Sequence, residues 1–508
     1  MSKLFHNLYF QLILVFAVSF GVFYALEFNP RNPYFSGYDS FYHIGMSKLI
    51  MEKGLPHEFP YLYFTTINKE FTDNHLLFHL AMIPFIALFG DITGPKIFIA
   101  LMVGLIFTVL FFFLRKLNFT WALPFTVIAF FLEPSDFYFR LAFIRDPAPA
   151  LLFLVFGFYL LTKKKLWFLT ILAFLYGWLY TGGGFLFLIA LIFIYAVVFW
   201  FRTNKINWSL IIYPLIATGL SLIVNPYFPA NLKSIFLQVW QTGLQAKTYS
   251  GGEWYPYDTW FWFSISYVPF LLWLGAILIV FAKRLKLSQT AWVAFLYSSF
   301  LLIIQWKSKR FIEYWPFWAV FSAILLAGKQ VEIWGKDYWR KLQNEKTFIG
   351  SANFWLGFVI VIILTAVGLR FATSEWSRAW NDTAMDYNVP KAKEAHEFLK
   401  KNSQFGDIVF TDDWDVFPLY FFLNQKNYYI VGLDPEFMNQ YDHDLYEQFA
   451  AISSGDDSKD LERIQTLFKA KWVIVKSDHP DFLDNLRNNP DLFQEVFGNK
   501  EYFVFRVK

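Results

Sequence analysis

The stretch PKIFIALMVGLIFTVLFFFL, residues 95–114, decides the fold class. After Lys96 it runs for 18 residues without a charge. A helix needs about 20 mainly apolar residues to cross a bilayer. Comparable runs lie near 8–27, 119–133, 148–162, 166–181, 184–201, 207–225, 259–282, 289–305, 311–327 and 350–370. Composition agrees: 56% of residues are hydrophobic, 22% aromatic and 17% charged. Soluble domains carry about 25% charged residues, so an ordinary soluble enzyme is excluded. Disorder is excluded by 65 Phe, 28 Tyr and 21 Trp, apolar surface that a chain in water must bury. There is no Cys, which rules out disulfides, thiolate metal sites and cysteine nucleophiles.

Charge divides the chain in two. Residues 371–508 hold 15 Lys and Arg against 24 Asp and Glu, a charge of −9, which leaves +13 for residues 1–370. The expected fold is a polytopic α-helical membrane domain, residues 1–370, followed by a soluble α/β domain, residues 371–508. The membrane part has about 11 spans, the first retained. A short apolar stretch at 76–90, after Asp73-Asn74-His75, is read as re-entrant or interfacial. With the N-terminus in the cytoplasm, Arg115, Lys116, Lys163–Lys165, Arg202, Lys283, Arg284 and the basic segment 329–346 fall on cytoplasmic connections, as the positive-inside rule requires. Loops 28–75, 134–147 and 226–258 and the tail then lie outside. Lys307-Ser308-Lys309-Arg310 is a strongly basic outer loop, a breach of the rule that suggests a partner for those charges.

In the tail, strands are expected at Asp407–Thr411, Asn427–Val431, Trp472–Lys476 and Tyr502–Arg506, rich in Val, Ile, Tyr and Phe. Helices are expected at 391–402, 459–469 and 479–489, with a polar turn at 453–457. The sequence contains no repeat, P-loop, GxGxxG, HExxH or GxSxG in a usable context.

Polar residues able to do chemistry collect on the outer loops. Asp39 precedes an interfacial helix at 40–53; it is either a helix cap or a hard oxygen ligand for Mg²⁺ or Mn²⁺. Asp146, beside Arg145 and near Arg140, leaves the same two readings open. Glu253 follows Ser250-Gly251-Gly252, a backbone suited to a loop that closes on substrate. Asp412-Asp413-Trp414-Asp415 follows a strand, and a Trp among carboxylates favours a binding surface. His75 and His79 are four residues apart and would share a helical face, as interfacial packing or as a two-histidine metal site; His43 is a further candidate ligand.

Taken in order, these loops resemble the catalytic subunit of oligosaccharyltransferase, archaeal and bacterial type, a GT-C class membrane glycosyltransferase. Asp39-Ser40-Phe41-Tyr42-His43 is similar to the family's first acidic motif, and Trp178-Leu179-Tyr180-Thr181-Gly182-Gly183 to its aromatic and Gly-Gly turn. Glu253 with Pro256, Thr259 and Trp260 fits the third-loop glutamate motif, Arg310 the arginine that faces the donor diphosphate, and Trp414-Asp415 the tail motif. The resemblance implies an inverting, metal-dependent transfer of a glycan from a polyprenyl (di)phosphate to an acceptor, protein asparagine first of all. It implies Asp39, Asp146 and Glu253 as catalytic residues. Asp39 and Asp146 would hold Mn²⁺ or Mg²⁺, with His75 and His43 as further metal candidates. Arg310, Lys309 and Arg145 would take donor phosphate, and Trp414, Asp415 and Asp413 would position the acceptor. The implied partners are a polyprenyl-phosphate-linked sugar, a protein or peptide acceptor and the bilayer, with no nucleic acid. A single-subunit enzyme fits these, in the plasma membrane of a prokaryote with its tail outside the cytoplasm.

There are departures. Pro147 and Ala148 follow Asp146 where the family has a further acidic residue or histidine, Asp413 stands in place of a Trp, and Val416-Phe417-Pro418 replaces a Tyr-Gly. Two alternatives stay open: a GT-C enzyme that uses a polyprenyl-monophosphate sugar and acts on Ser, Thr or lipid, and a non-catalytic transporter or flippase.

Overall fold

The structure is a computed structural model that describes residues 7–239, 252–344, 349, 351–385, 387–455 and 460–508. Ser250 and Gly251 of the third loop, and Asp456 and Asp457 of the polar turn, lie outside the described residues. Each of the eleven apolar runs overlaps a helix. Among the described residues, six helices are long and apolar enough to cross a membrane: Leu8–Glu27, Leu76–Lys116, Phe185–Thr203, Thr259–Lys283, Trp315–Asn344 and Ala352–Asp382. Ala122–Phe131, Pro147–Thr162, Leu166–Leu179 and Trp208–Ile223 are shorter, and Gln289–Lys307 completes the set. The chain is an integral membrane protein.

The stretch 76–90 is helical but does not run straight into the next span. Gly90 adopts φ 82°, ψ 171°, a conformation that glycine reaches without strain. A Cβ on Gly94 would collide with the Phe85 carbonyl, so the two segments turn sharply against each other, with Phe78 and Phe85 both packed on Phe98. The first outer loop folds as a buried helix, Tyr38–Lys53, with Ser40 to Ser47 inside the protein.

The tail holds five strands: β1 Ile408–Thr411, β2 Tyr428–Tyr429, β3 Trp472–Lys476, β4 Phe493–Gly498 and β5 Tyr502–Val507. Their order is β2-β1-β3-β5-β4. The β2, β1 and β3 strands are parallel, and β5 and β4 add antiparallel to β3. The central parallel strands are buried on both faces, and so read as continuous apolar runs. Four expected strands are present, the second cut to two residues. The unexpected β4 is a partly exposed edge strand with little apolar signal. Val389–Asn402 and Pro480–Arg487 match expected helices. The helix expected at 459–469 is reduced to Arg463–Thr466.

The first outer loop joins tail to membrane domain. Leu62 bridges Tyr429 in parallel, Tyr63 N–H donates to the Tyr429 carbonyl, and Tyr429 N–H donates to the Tyr61 carbonyl, so this loop extends the sheet beyond β2. Helix Tyr38–Lys53 lies against helix Phe417–Leu423. Phe421 packs on Tyr42, Phe59 and Tyr61, and Phe422 packs on Phe35 and Phe41. Gly45 permits this approach, since a Cβ there would stand 2.9 Å from the buried Phe421 ring. Gly45→Val should therefore cost about 1–3 kcal/mol by overpacking, read as a lower Tm in detergent. An unchanged Tm would show that this contact does not hold the tail.

Candidate functional site

The second outer loop is stapled to the first. Ser36 bridges Phe143, Ile144 N–H donates to Ser40 Oγ at 2.9 Å, and Gly37 N–H donates to Tyr387 Oη at 2.9 Å. Gly37 has φ 72°, and a Cβ there would meet the Phe143 ring, so this entry to the helix suits glycine. The result places Asp39 in the first turn of its helix, opposite Arg145.

Three guanidiniums and three carboxylates form one network. Arg145 Nη1 donates to Asp39 Oδ2 at 2.7 Å and its Nη2 to Glu313 Oε1 at 2.6 Å. Arg140 Nε donates to the same Glu313 oxygen at 2.6 Å, and its Nη2 to Glu253 Oε2 at 2.9 Å. Arg310 Nη1 donates to Glu253 Oε1 at 2.8 Å and Nη2 to Tyr180 Oη at 3.3 Å, with its guanidinium over the Trp254 ring. Glu253 thus bridges Arg140 and Arg310. Burial pushes its carboxyl up, but the fields of Arg310, Arg140 and Arg145 outweigh this and hold it far below the usual carboxylate range.

Neither aspartate is a helix cap. Asp146 occupies the N-cap position of Pro147–Thr162, yet its side chain accepts no cap hydrogen bond; Asp39 makes none either. Asp146 is fully buried, and neither of its oxygens has an aligned donor. His75 Nδ1 stands 3.1 Å from Asp146 Oδ1 without a hydrogen bond between them. One ligand atom each from His43, His75 and Asp146 lies within 4.8 Å of the others. Burial raises the Asp146 carboxyl, and His75, Arg145 and Arg310 more than compensate, so it stays an anion. A buried carboxylate whose neighbour is His75, with no well-aligned donor among the described residues, and two imidazoles are a donor set that fits a divalent cation. Asp39 does not belong to this set; its carboxylate goes to Arg145.

Asp39, His43, His75, Glu253, Arg310 and Asp415 share the wall of one cavity of about 670 Å³, with Arg145 and Trp414 also lining it. Asp415 faces Asp39 across the space. Burial, then the charges of Asp39, Asp413 and Glu253, push its carboxyl up to about 7. Asp413 does not line the cavity; its Oδ1 accepts from Asp415 N–H at 3.1 Å. Lys309 is also set back, its ammonium over the Tyr257 ring. His75 and His79 do not act as a pair: His75 turns to Asp146, and His79 to Asp73 and His43.

Glu313 is the site residue that sequence reasoning missed, along with the roles of Arg140 and Tyr180 as partners. The signal for Glu313 was a carboxylate at the third position of the apolar run 311–327, where a charge needs a partner. A second convergence of ligand atoms, Asp412, Asp478 and His479, lies past the ends of β1 and β3. There the Lys476 ammonium already takes Asp478.

No protein-family model matches this chain, and no curated protein is similar to it in sequence. Solved structures are similar in fold. The apo oligosaccharyltransferase of Archaeoglobus fulgidus has a TM-score of 0.63 at 12% identity, over 92% of this chain and 69% of that one. The same protein tethered with an acceptor peptide containing the NVT sequon gives 0.60 at 12%, over 98% and 74%. ArnT from Cupriavidus metallidurans bound to undecaprenyl phosphate gives 0.57 at 12%, over 97% of each chain. The chain therefore shares the fold of these membrane proteins along nearly its whole length.

Proposed function

We propose that the protein is a membrane glycosyltransferase that moves a sugar or glycan from a polyprenyl-phosphate-linked donor to an acceptor held beneath the tail domain. One observation carries this reading: Arg310 and Arg145 line the cavity together with His43 and His75, with Arg140 and the buried Asp146 directly behind them. Fixed cations around a leaving phosphate stabilise charge that develops as the glycosidic bond breaks. The fold neighbours support the same classes of ligand: ArnT was solved with undecaprenyl phosphate and the oligosaccharyltransferase with an acceptor peptide.

Arg310 is the guanidinium placed to receive phosphate, since it lines the cavity and holds Glu253 through one nitrogen only. Arg145 and Arg140 are tied to Glu313, which fixes them as a positive wall. Asp39, with 41% of its side chain exposed, and Glu253 are the carboxylates free to accept hydrogen bonds from the acceptor. The acceptor atom would bond to the anomeric carbon as the C–O bond to phosphate breaks, its electron pair leaving with the phosphate. Attack from the face opposite the phosphate inverts that centre. His43, His75 and Asp146 would hold a divalent cation; when bound, it supplies Lewis-acid neutralisation of the leaving phosphate. Two imidazoles suit Mn²⁺ or Zn²⁺ better than Mg²⁺. Trp414 and Asp415 would hold the acceptor from above, and the natural setting of such an enzyme is a prokaryotic plasma membrane with this face outward.

A second reading is a polyprenyl-monophosphate donor carrying a single sugar. The observation favouring it is the likeness in fold to ArnT, solved with undecaprenyl phosphate, over 97% of each chain.

The test is transfer in detergent micelles with a source lipid extract, an Asn-Val-Thr peptide, and Mn²⁺ or EDTA. A metal-dependent mass gain on the peptide supports the asparagine reading, and the donor mass distinguishes one phosphate from two. Donor turnover without peptide modification moves the acceptor elsewhere. No donor turnover with any acceptor overturns the proposal.

Glu253→Gln and Asp39→Asn should each lower kcat/KM by about 10²-fold or more, with the fold retained. Glu313→Gln should instead cost about 1–3 kcal/mol of stability, because two buried guanidiniums lose a shared charged partner and keep only Asp39 and Glu253; unfolding in detergent reads this. Asp415 should give the transfer rate a limb near pH 7. Its carboxylate, an acceptor of hydrogen bonds above about 7, takes a proton below it. Transfer should fall from pH 8 to 6, and Asp415→Asn should flatten that limb.

A further inference from the structure

Behind His43 and His75 lies a carboxylate that touches no solvent and does not line the cavity. Asp73 is 1% exposed, His79 0% and His43 3%. Asp73 Oδ2 is 2.7 Å from His79 Nδ1, and His79 Nε2 is 2.8 Å from His43 Nδ1. The other oxygen, Asp73 Oδ1, accepts the His75 backbone N–H at 2.9 Å. Ser47 Oγ lies against the carbonyls of both His43 and His79, at 3.0 and 3.2 Å, and ties the two helices that carry them.

The hydrogen bonds fix the tautomers of a relay built from two neutral imidazoles. A carboxylate only accepts, so His79 Nδ1 carries the proton facing Asp73. Neutral His79 then has its lone pair on Nε2, so His43 donates from Nδ1. That leaves the His43 lone pair on Nε2, the nitrogen free to serve the cavity. One buried carboxylate thereby orients one imidazole through a relay and the backbone of the other directly.

We infer that Asp73 and His79 are positioning residues that hold His43 and His75 in the orientation and tautomer needed to bind a divalent cation with Asp146. Imidazole ligands are commonly backed by a carboxylate through their second ring nitrogen; here a second histidine is interposed. Neither Asp73 nor His79 would touch the cation or the donor. The inference rests on the proposed cation site, and the experiment below separates the two.

The experiment is calorimetric titration of the full, detergent-solubilised chain with Co²⁺, joined to the Co²⁺ absorption spectrum. Variants are Asp73→Asn and His79→Phe, which remove the relay and no ligand atom, and His75→Gln and Asp146→Asn, which remove ligands. The expected result is a Co²⁺ affinity 10–100-fold weaker in Asp73→Asn and His79→Phe, with an altered spectrum and binding abolished in the ligand variants. Metal-free Tm separates this from a purely structural role, which would lower Tm and leave the affinity unchanged. If His79→Phe does not fold, the near-isosteric Asp73→Asn decides. Wild-type affinity in the relay variants, with binding lost in His75→Gln and Asp146→Asn, overturns the relay and keeps the cation site. No Co²⁺ binding by the wild type, or binding that the ligand variants leave unchanged, overturns both.

Discussion

The whole cavity face is organised by the cost of leaving charge unpaired where water is scarce. A buried guanidinium without a partner costs several kcal/mol. Arg140 and Arg145 come from one loop, Glu253 from another, Arg310 and Glu313 from a third, and Asp39 from the first. No ion pair of this network lies within a single segment. The segments are driven together, and the cavity is the space left where their charges balance at three against three. Glu313 ties two arginines with a single oxygen, so its place is structural. Glu253 presents one oxygen to each of two arginines, so an arriving anion can replace one contact without losing the other.

The tail completes the site through aromatic packing and backbone pairing. Its sheet is extended by the first loop, and Phe421 and Phe422 seat it on the helix that carries Asp39. Trp414 and Asp415 lie in the turn between β1 and helix Phe417–Leu423, and reach the cavity because that helix is seated on the helix that carries Asp39. The long helix Ala352–Asp382 supplies the covalent connection, while its apolar part stays largely exposed and touches Tyr338, Leu132 and Tyr267.

Much of this was legible in the sequence. The apolar runs announced the helices because crossing a bilayer demands length and apolarity, and each run overlaps a helix. The central strands were legible because parallel strands buried on both faces read as continuous apolar stretches. The edge strand β4 was not, since Phe493-Gln494-Glu495-Val496 alternates weakly and faces water. Asp39, Asp146, Glu253, Arg310 and Trp414 stood out as polar groups on outer loops, but pairing could not be read. Spacing says nothing of a carboxylate 168 residues from its arginine, as with Arg145 and Glu313. For the same reason His79 looked like a partner of His75 four residues away, whereas folding gives it to His43, 36 residues earlier.

The bridge between Leu62 and Tyr429 also bears on biosynthesis. The first loop leaves the ribosome long before the strand that pairs with it. Until then the edge at Tyr61–Tyr63 has unmet backbone groups, and Asp39 has no roof. The nascent chain therefore carries an incomplete cavity wall until the tail has emerged and docked.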